Sequence, residues 1–284
     1  MFYLDNNMEI SLCVEYPEEG LDKLHHVDFP VDLVVAGKSM EEFDGWRAQI
    51  DHDSVQRVGY WPTLSREEGY WLSTLASPRG LDRVLGELGE RNSEDDQLLL
   101  LWDAELPHQN PLLVFKNAIY HFKNRKKLDK FLRNHKEHSL DIAAAQFPTR
   151  TWPFPLNLVA SKPVLEATMT HLDPVEYDLE AVFTMGYTSF GEFEDPINSF
   201  LLGGFNPRNL IDEAGLGVKN YRDRFGLALG TIAVGEMGNE PILTPKKLNR
   251  DLSIARLMGV KKVAIYRLGG MTDEYAAAIK EACL

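Results

Sequence analysis

The chain has 284 residues, 44% hydrophobic and 26% charged, enough to bury a large core in one or two domains. Its formal charge of −13 argues against a surface built for phosphate backbones, so no nucleic-acid partner is expected. Apolar runs too short to span a bilayer, only Cys13 and Cys283, and a start without a signal-like apolar stretch lead to the expectation of a cytoplasmic protein with no membrane partner.

Residues 10–16 (ISLCVEY) read as a strand closed by Pro17-Glu18-Glu19-Gly20, and 32–37 (DLVVAG) as a second, buried one. Met40, Phe43, Trp46 and Ile50 then mark one helix face. A third strand over 56–62 ends in Tyr60, Trp61 and Pro62. Helix is predicted within 67–88, broken at Pro78-Arg79-Gly80, and the fourth strand is 97–102. A long helical region over 111–138 follows, with Leu112, Phe115, Ile119 and Phe122, then Leu128, Phe131 and Leu132, at helical spacing. Its basic run, 123–136, reads as a solvated helix face.

The fifth strand is 141–147 (DIAAAQF), ending in Gln146 and followed by an aromatic loop at 149–155 and helix within 156–171. The sixth lies in 179–187. An insertion at about 188–225, rich in Gly and aromatic residues, precedes the seventh at 227–234. An amphipathic helix over 246–258, the eighth strand at 261–268 and a last helix from Asp273 complete the chain. Eight mostly continuous apolar strands alternating with helices predict a single (β/α)8 TIM barrel over residues 1–284. A dinucleotide-binding open sheet is disfavoured, because residues 15–20 (EYPEEG) carry no G-x-G-x-x-G.

In such a barrel the chemistry sits at the C-terminal strand ends. Those ends supply Glu15, Tyr60, Trp61, Asp103, Glu105, Gln146, Tyr187, Glu236 and Arg267. Asp103 and Glu105 are two apart after a run of leucines, so both side chains leave the strand on one face. Two carboxyls across a pocket are what glycosidic bond cleavage requires. Glu105 is the candidate acid, its pKa raised by Asp103 beside it, and Glu236 the candidate nucleophile or base. Glu15, Tyr60, Trp61, Gln146, Tyr187 and Arg267 are candidates for holding a carbohydrate, Arg267 also offsetting the clustered acids. No cofactor or metal is called for.

Asp103-Ala104-Glu105 resembles the fourth-strand D-x-x-D-x-D-x-E motif of the family 18, chitinase-like, glycoside hydrolases. The resemblance implies that Glu105 is the catalytic acid and that Asp103 orients an N-acetyl group of the substrate. Leu98 and Leu101 stand at the motif's first two aspartates. Met185-Gly186-Tyr187 similarly resembles the family's sixth-strand M-x-Y-D, implying that Tyr187 supports the acetamido group, with Thr188 in place of the Asp. Glu105 and Glu236 also match the fourth- and seventh-strand glutamates of retaining glycosidase barrels, though Ala104 replaces the usual Asn. Two other classes fit the same residues. One is a metal-dependent sugar isomerase or aldolase using Asp103, Glu105, His108, Glu15 and Glu236. The other is a catalytically inert barrel that binds a glycan or a partner.

Overall fold

The computed structural model describes residues 7–91, 96–105, 111–148, 162–192, 206–236 and 238–284. Eight strands pair in parallel, each with its sequence neighbour, and β1 closes on β8. They are β1 (Glu9–Val14), β2 (Val31–Gly37), β3 (Val55–Pro62), β4 (Leu98–Ala104), β5 (Leu140–Gln146), β6 (Ala181–Met185), β7 (Phe225–Gly230) and β8 (Lys262–Tyr266). The described helices are α1 (Pro17–Gly20), α2 (Met40–Arg47), α3 (Pro78–Gly89), α4 (Pro111–Asn117), α5 (His121–Asn134), α6 (Lys162–Ala167), α7 (Pro207–Tyr221), α8 (Pro245–Leu257) and α9 (Asp273–Cys283). The expected (β/α)8 barrel is the observed architecture.

The period of two along each strand sorts its side chains into two cores. In β4, Leu98, Leu100, Trp102 and Ala104 face the helices, while Leu99 and Leu101 fill the barrel with Val34, Ala143 and Phe183. The inward phase continues through Asp103 to Glu105. The N-terminal end of the barrel is closed by an ion network. Arg57 Nη2 lies 2.6 Å from Asp32 and 2.9 Å from Glu180, and Lys262 lies 2.7 Å from Glu9. Chemistry is left to the opposite end.

Three expectations are corrected. First, no helix forms over 67–77, and Pro78 instead occupies the first helical position of α3, where its missing N–H costs nothing. The chain over 63–77 is a loop that folds across the mouth, tied down by Leu72 N–H donating to Asp103 O at 3.1 Å. Second, β7 ends at Gly230, whose φ of +132° breaks the extended run. Beyond it, Leu243 N–H bonds Thr231 O and Ile232 N–H bonds Tyr266 O, so Glu236 stands in a loop well past the strand tip. Third, Leu128 and Leu132 are buried, but Leu112, Phe115, Ile119 and Phe122 lie on the outer surface. Within the insertion, α7 is the long helix, and 193–205 falls outside the described residues, as do the aromatic loop 149–155 and His108.

Candidate active site

Asp103 and Glu105 stand at the C-terminal tip of β4 because five consecutive bulky apolar residues commit that strand to the barrel wall. Asp103 is 5% exposed. Its pKa is raised by burial and then by the charge of Glu15, with hydrogen bonding from Glu105 and Trp71 opposing the shift. Glu105, half-buried, is raised well above the ordinary carboxylate range by desolvation, by Asp103 and by Glu15. Two neighbouring carboxyls cannot both ionise in such a site, so the pair keeps a proton in neutral solvent.

Glu15, one residue past β1, is the third carboxyl of this cluster. Tyr70 Oη donates to its Oε1 at 2.8 Å, and Tyr266 Oη donates to its Oε2. Burial still pushes its pKa up to about 7, against those hydrogen bonds and the nearby positive charge of Arg267. Gly235 is required beside it, since a Cβ there would sit 1.7 Å from Tyr266 Oη and 2.9 Å from Glu15 Oε2. Aromatic rings complete the lining. Trp61 meets Tyr266 edge-on at 6.4 Å between centroids, and Tyr187 lies 5.9 Å from Tyr266. The field of Glu105, Asp103 and Glu15 also reaches Tyr187, whose hydroxyl is held protonated chiefly by burial.

Glu236 lies elsewhere on the mouth. Arg66 grips its carboxylate with Nε at 2.6 Å and Nη2 at 3.1 Å, and Tyr16 Oη donates to it at 3.2 Å. It borders a cleft of about 390 Å³ lined also by Glu15, Tyr16, Arg66 and Tyr70. Arg267 is buried under the same edge. Its Nε donates to Val234 O at 2.8 Å, its Nη1 reaches Glu19 at 3.3 Å, and its guanidinium stacks 4.6 Å from the Tyr16 ring.

Asp103, Glu105, Glu15, Trp61 and Tyr187 are therefore brought together. Tyr60 and Gln146 are not. Tyr60 belongs to the outer phase of β3, fully buried, its ring 5.0 Å from Phe43 and its hydroxyl donating to Gly37 O. Gln146 is in the outer phase of β5, 1% exposed, where its Oε1 accepts from Leu172 N–H at 2.8 Å. Both are structural, and neither is placed to hold a ligand at the mouth. Tyr70, Trp71 and Tyr266 were missed by sequence reasoning. Tyr266 was findable, because it is in phase with Ala264 on the inner face of β8, whereas Arg267 follows the strand. Tyr70 and Trp71 gave no signal, since an irregular loop delivers them. Among the described residues, no group of His, Cys, Asp and Glu is arranged to hold a metal ion.

No protein-family model matches the chain, and no curated protein matches it. Solved structures do. The glycoside hydrolase domain of PgaB (BpsB) from Bordetella bronchiseptica aligns with TM-score 0.53 at 11% identity, over 97% of this chain and 99% of that one. A chitinase from Chromobacterium violaceum ATCC 12472 aligns with TM-score 0.52 at 8% identity, over 97% and 98%. The catalytic domain of a beta-amylase from Paenibacillus polymyxa aligns with TM-score 0.50 at 9% identity, over 98% of each chain. The class defined by fold is thus the (β/α)8 barrel in the form shared with these glycoside hydrolase structures. At such identities the likeness establishes fold, and the reaction must be argued from the site.

Proposed function

We propose that the chain is a glycoside hydrolase acting on a carbohydrate at the barrel mouth, with Glu105 as general acid. One observation carries the reading: two carboxyls, Asp103 and Glu105, side by side on an aromatic-lined strand tip, where burial and the neighbouring acids push both above the ordinary carboxylate range. Cleaving a glycosidic bond requires a proton for the leaving oxygen while positive charge grows at the anomeric carbon. Glu105 supplies that proton as the C–O bond breaks. Water adds to the anomeric carbon in place of the departing oxygen, and the proton that water releases returns to the Asp103–Glu105 pair, restoring the acid. The flanking Trp61, Tyr187 and Tyr266 rings offer apolar faces to a sugar ring.

The charge of Asp103 reaches the Tyr187 hydroxyl, and the family 18 resemblance implies that residues at these two positions hold an N-acetyl group. N-acetylated sugars are therefore the first substrates to test. Glu236 has a different part from the expected nucleophile. With its oxygens taken up by Arg66 and Tyr16, it is proposed to fix the wall of the cleft, and Glu15 is the further carboxyl facing the reacting pair. The test is reducing-end release from a panel of N-acetylated and neutral oligosaccharides and aryl glycosides. Release from at least one N-acetylated sugar is expected. Binding of oligosaccharide without release from any member would replace the hydrolase with an inert glycan-binding barrel.

A further inference from the structure

From α4 into the first turn of α5, residues 112–124 are seated with their polar edge inward, whereas Leu128, Phe131 and Leu132 further along α5 face the core. Asn117 and Asn124 are 3% and 0% exposed. Asn117 Nδ2 donates to Leu75 O at 3.1 Å, and Asn124 Nδ2 donates to Thr74 O and Ala76 O at 3.0 Å each. His121 Nδ1 lies 2.8 Å from Thr74 Oγ1 on the same side. The opposite side is apolar and bare: Leu112, Phe115, Ile119 and Phe122 are 81%, 78%, 77% and 83% exposed. Their spacing of three and four residues places them in one row. A water-facing helix normally has the reverse arrangement, with its apolar stripe toward the core.

The same row continues in cations. Lys116, Lys123, Lys126 and Lys130 share its side of the segment, all are exposed, and none makes an ion pair among the described residues. Cations concentrated on one face of a chain with net charge −13 are a local departure that needs a negative counterpart. A second copy of this face would oppose lysine to lysine, so self-association through it is disfavoured. No described helix is long and apolar enough to cross a membrane. A row of Leu, Ile and Phe interleaved with Lys is instead the pattern of a helix lying in a lipid–water interface.

We propose that the α4–α5 face docks the protein on the surface of an anionic lipid bilayer. Leu112, Phe115, Ile119 and Phe122 enter the boundary between headgroups and acyl chains, and the four lysines meet lipid phosphates. Neither the barrel chemistry nor its substrate enters the argument, so the two readings stand or fall separately.

Flotation of the full chain with vesicles tests it. Binding is expected to vesicles of phosphatidylcholine and phosphatidylglycerol at about two to one, at least about tenfold above phosphatidylcholine alone. Release is expected in about 1 M sodium chloride, where the Debye length falls to about 3 Å. The Phe115→Asp/Phe122→Asp and Lys123→Glu/Lys126→Glu double variants are each expected to weaken binding at least about tenfold. Both keep the parent's circular dichroism and thermal midpoint, because all four side chains lie outside the core. No flotation with the anionic vesicles, or flotation unchanged in both variants, overturns the proposal. So does a concentration-dependent dimer that the phenylalanine variant abolishes.

Discussion

Replacing Glu15 by glutamine separates the charge of this carboxyl from its place in the barrel. The folded-state pKa of about 7 stands against an ordinary 4.5, a difference of about 2.5 units. At 1.36 kcal/mol per unit, that is about 3 kcal/mol of penalty on the ionised form. The folded value exceeds the unfolded one, so the folded protein holds the extra proton between them and loses stability as pH rises through that window. Below about pH 4 both states are protonated and no penalty applies; above about pH 8 it applies in full. Glutamine cannot ionise, and tyrosine hydroxyls can accept from its amide as well as donate to its carbonyl.

Glu15→Gln is therefore expected to match the parent near pH 4 and to exceed it by up to about 3 kcal/mol near pH 8.5. For a chain of this length that is roughly 5 °C in thermal midpoint. Losing the Glu15 charge also relaxes Asp103 and Glu105, which moves stability in the same direction. Urea unfolding at several pH values measures the difference. A stability difference independent of pH would refute the raised pKa and the buried acid cluster built on it.

Other variants probe separate contacts. Asp103→Asn removes a charge that raises Glu105 and is expected to move the alkaline limb of the pH–rate profile to lower pH; an unmoved limb would uncouple the two. Gly235→Ala forces a Cβ onto Tyr266 Oη, so turnover is expected to fall at least about tenfold with the fold retained by circular dichroism. Parent-like turnover would show that Tyr266 does not need its place on Glu15. Tyr60→Phe loses one buried hydrogen bond and is expected to cost about 1 kcal/mol of stability while leaving turnover unchanged. A fall in turnover would return Tyr60 to the site.

The barrel was legible because its strands are buried on both faces and announce themselves as continuous apolar runs. The observed ends differ from the expected ones by a residue or two, except where backbone geometry intervened, as at Gly230. Asp103 and Glu105 were legible for a similar reason: period two, counted from Leu99 and Leu101, carries the inner phase to both carboxyls. The same count, applied to Tyr60 and Gln146, assigns them to the outer phase, and proximity to a strand tip alone misplaced them. Loop-borne groups had no period to follow. Tyr70 reaches Glu15 because residues 63–77 fold back over β4, and Arg66 reaches Glu236 from the same loop. The reversed amphipathicity over 112–124 was also hidden, since a periodic apolar row does not say which way it faces.

The claim that Glu105 protonates the leaving group is tested most directly by pairing Glu105→Gln with two leaving groups. On a sugar whose leaving group needs a proton, the variant is expected to lose at least about 100-fold in kcat/KM. On the matching dinitrophenyl glycoside, whose leaving group departs without a proton, most of that loss is expected to vanish. Equal losses on both substrates, or no loss on either, would contradict the account.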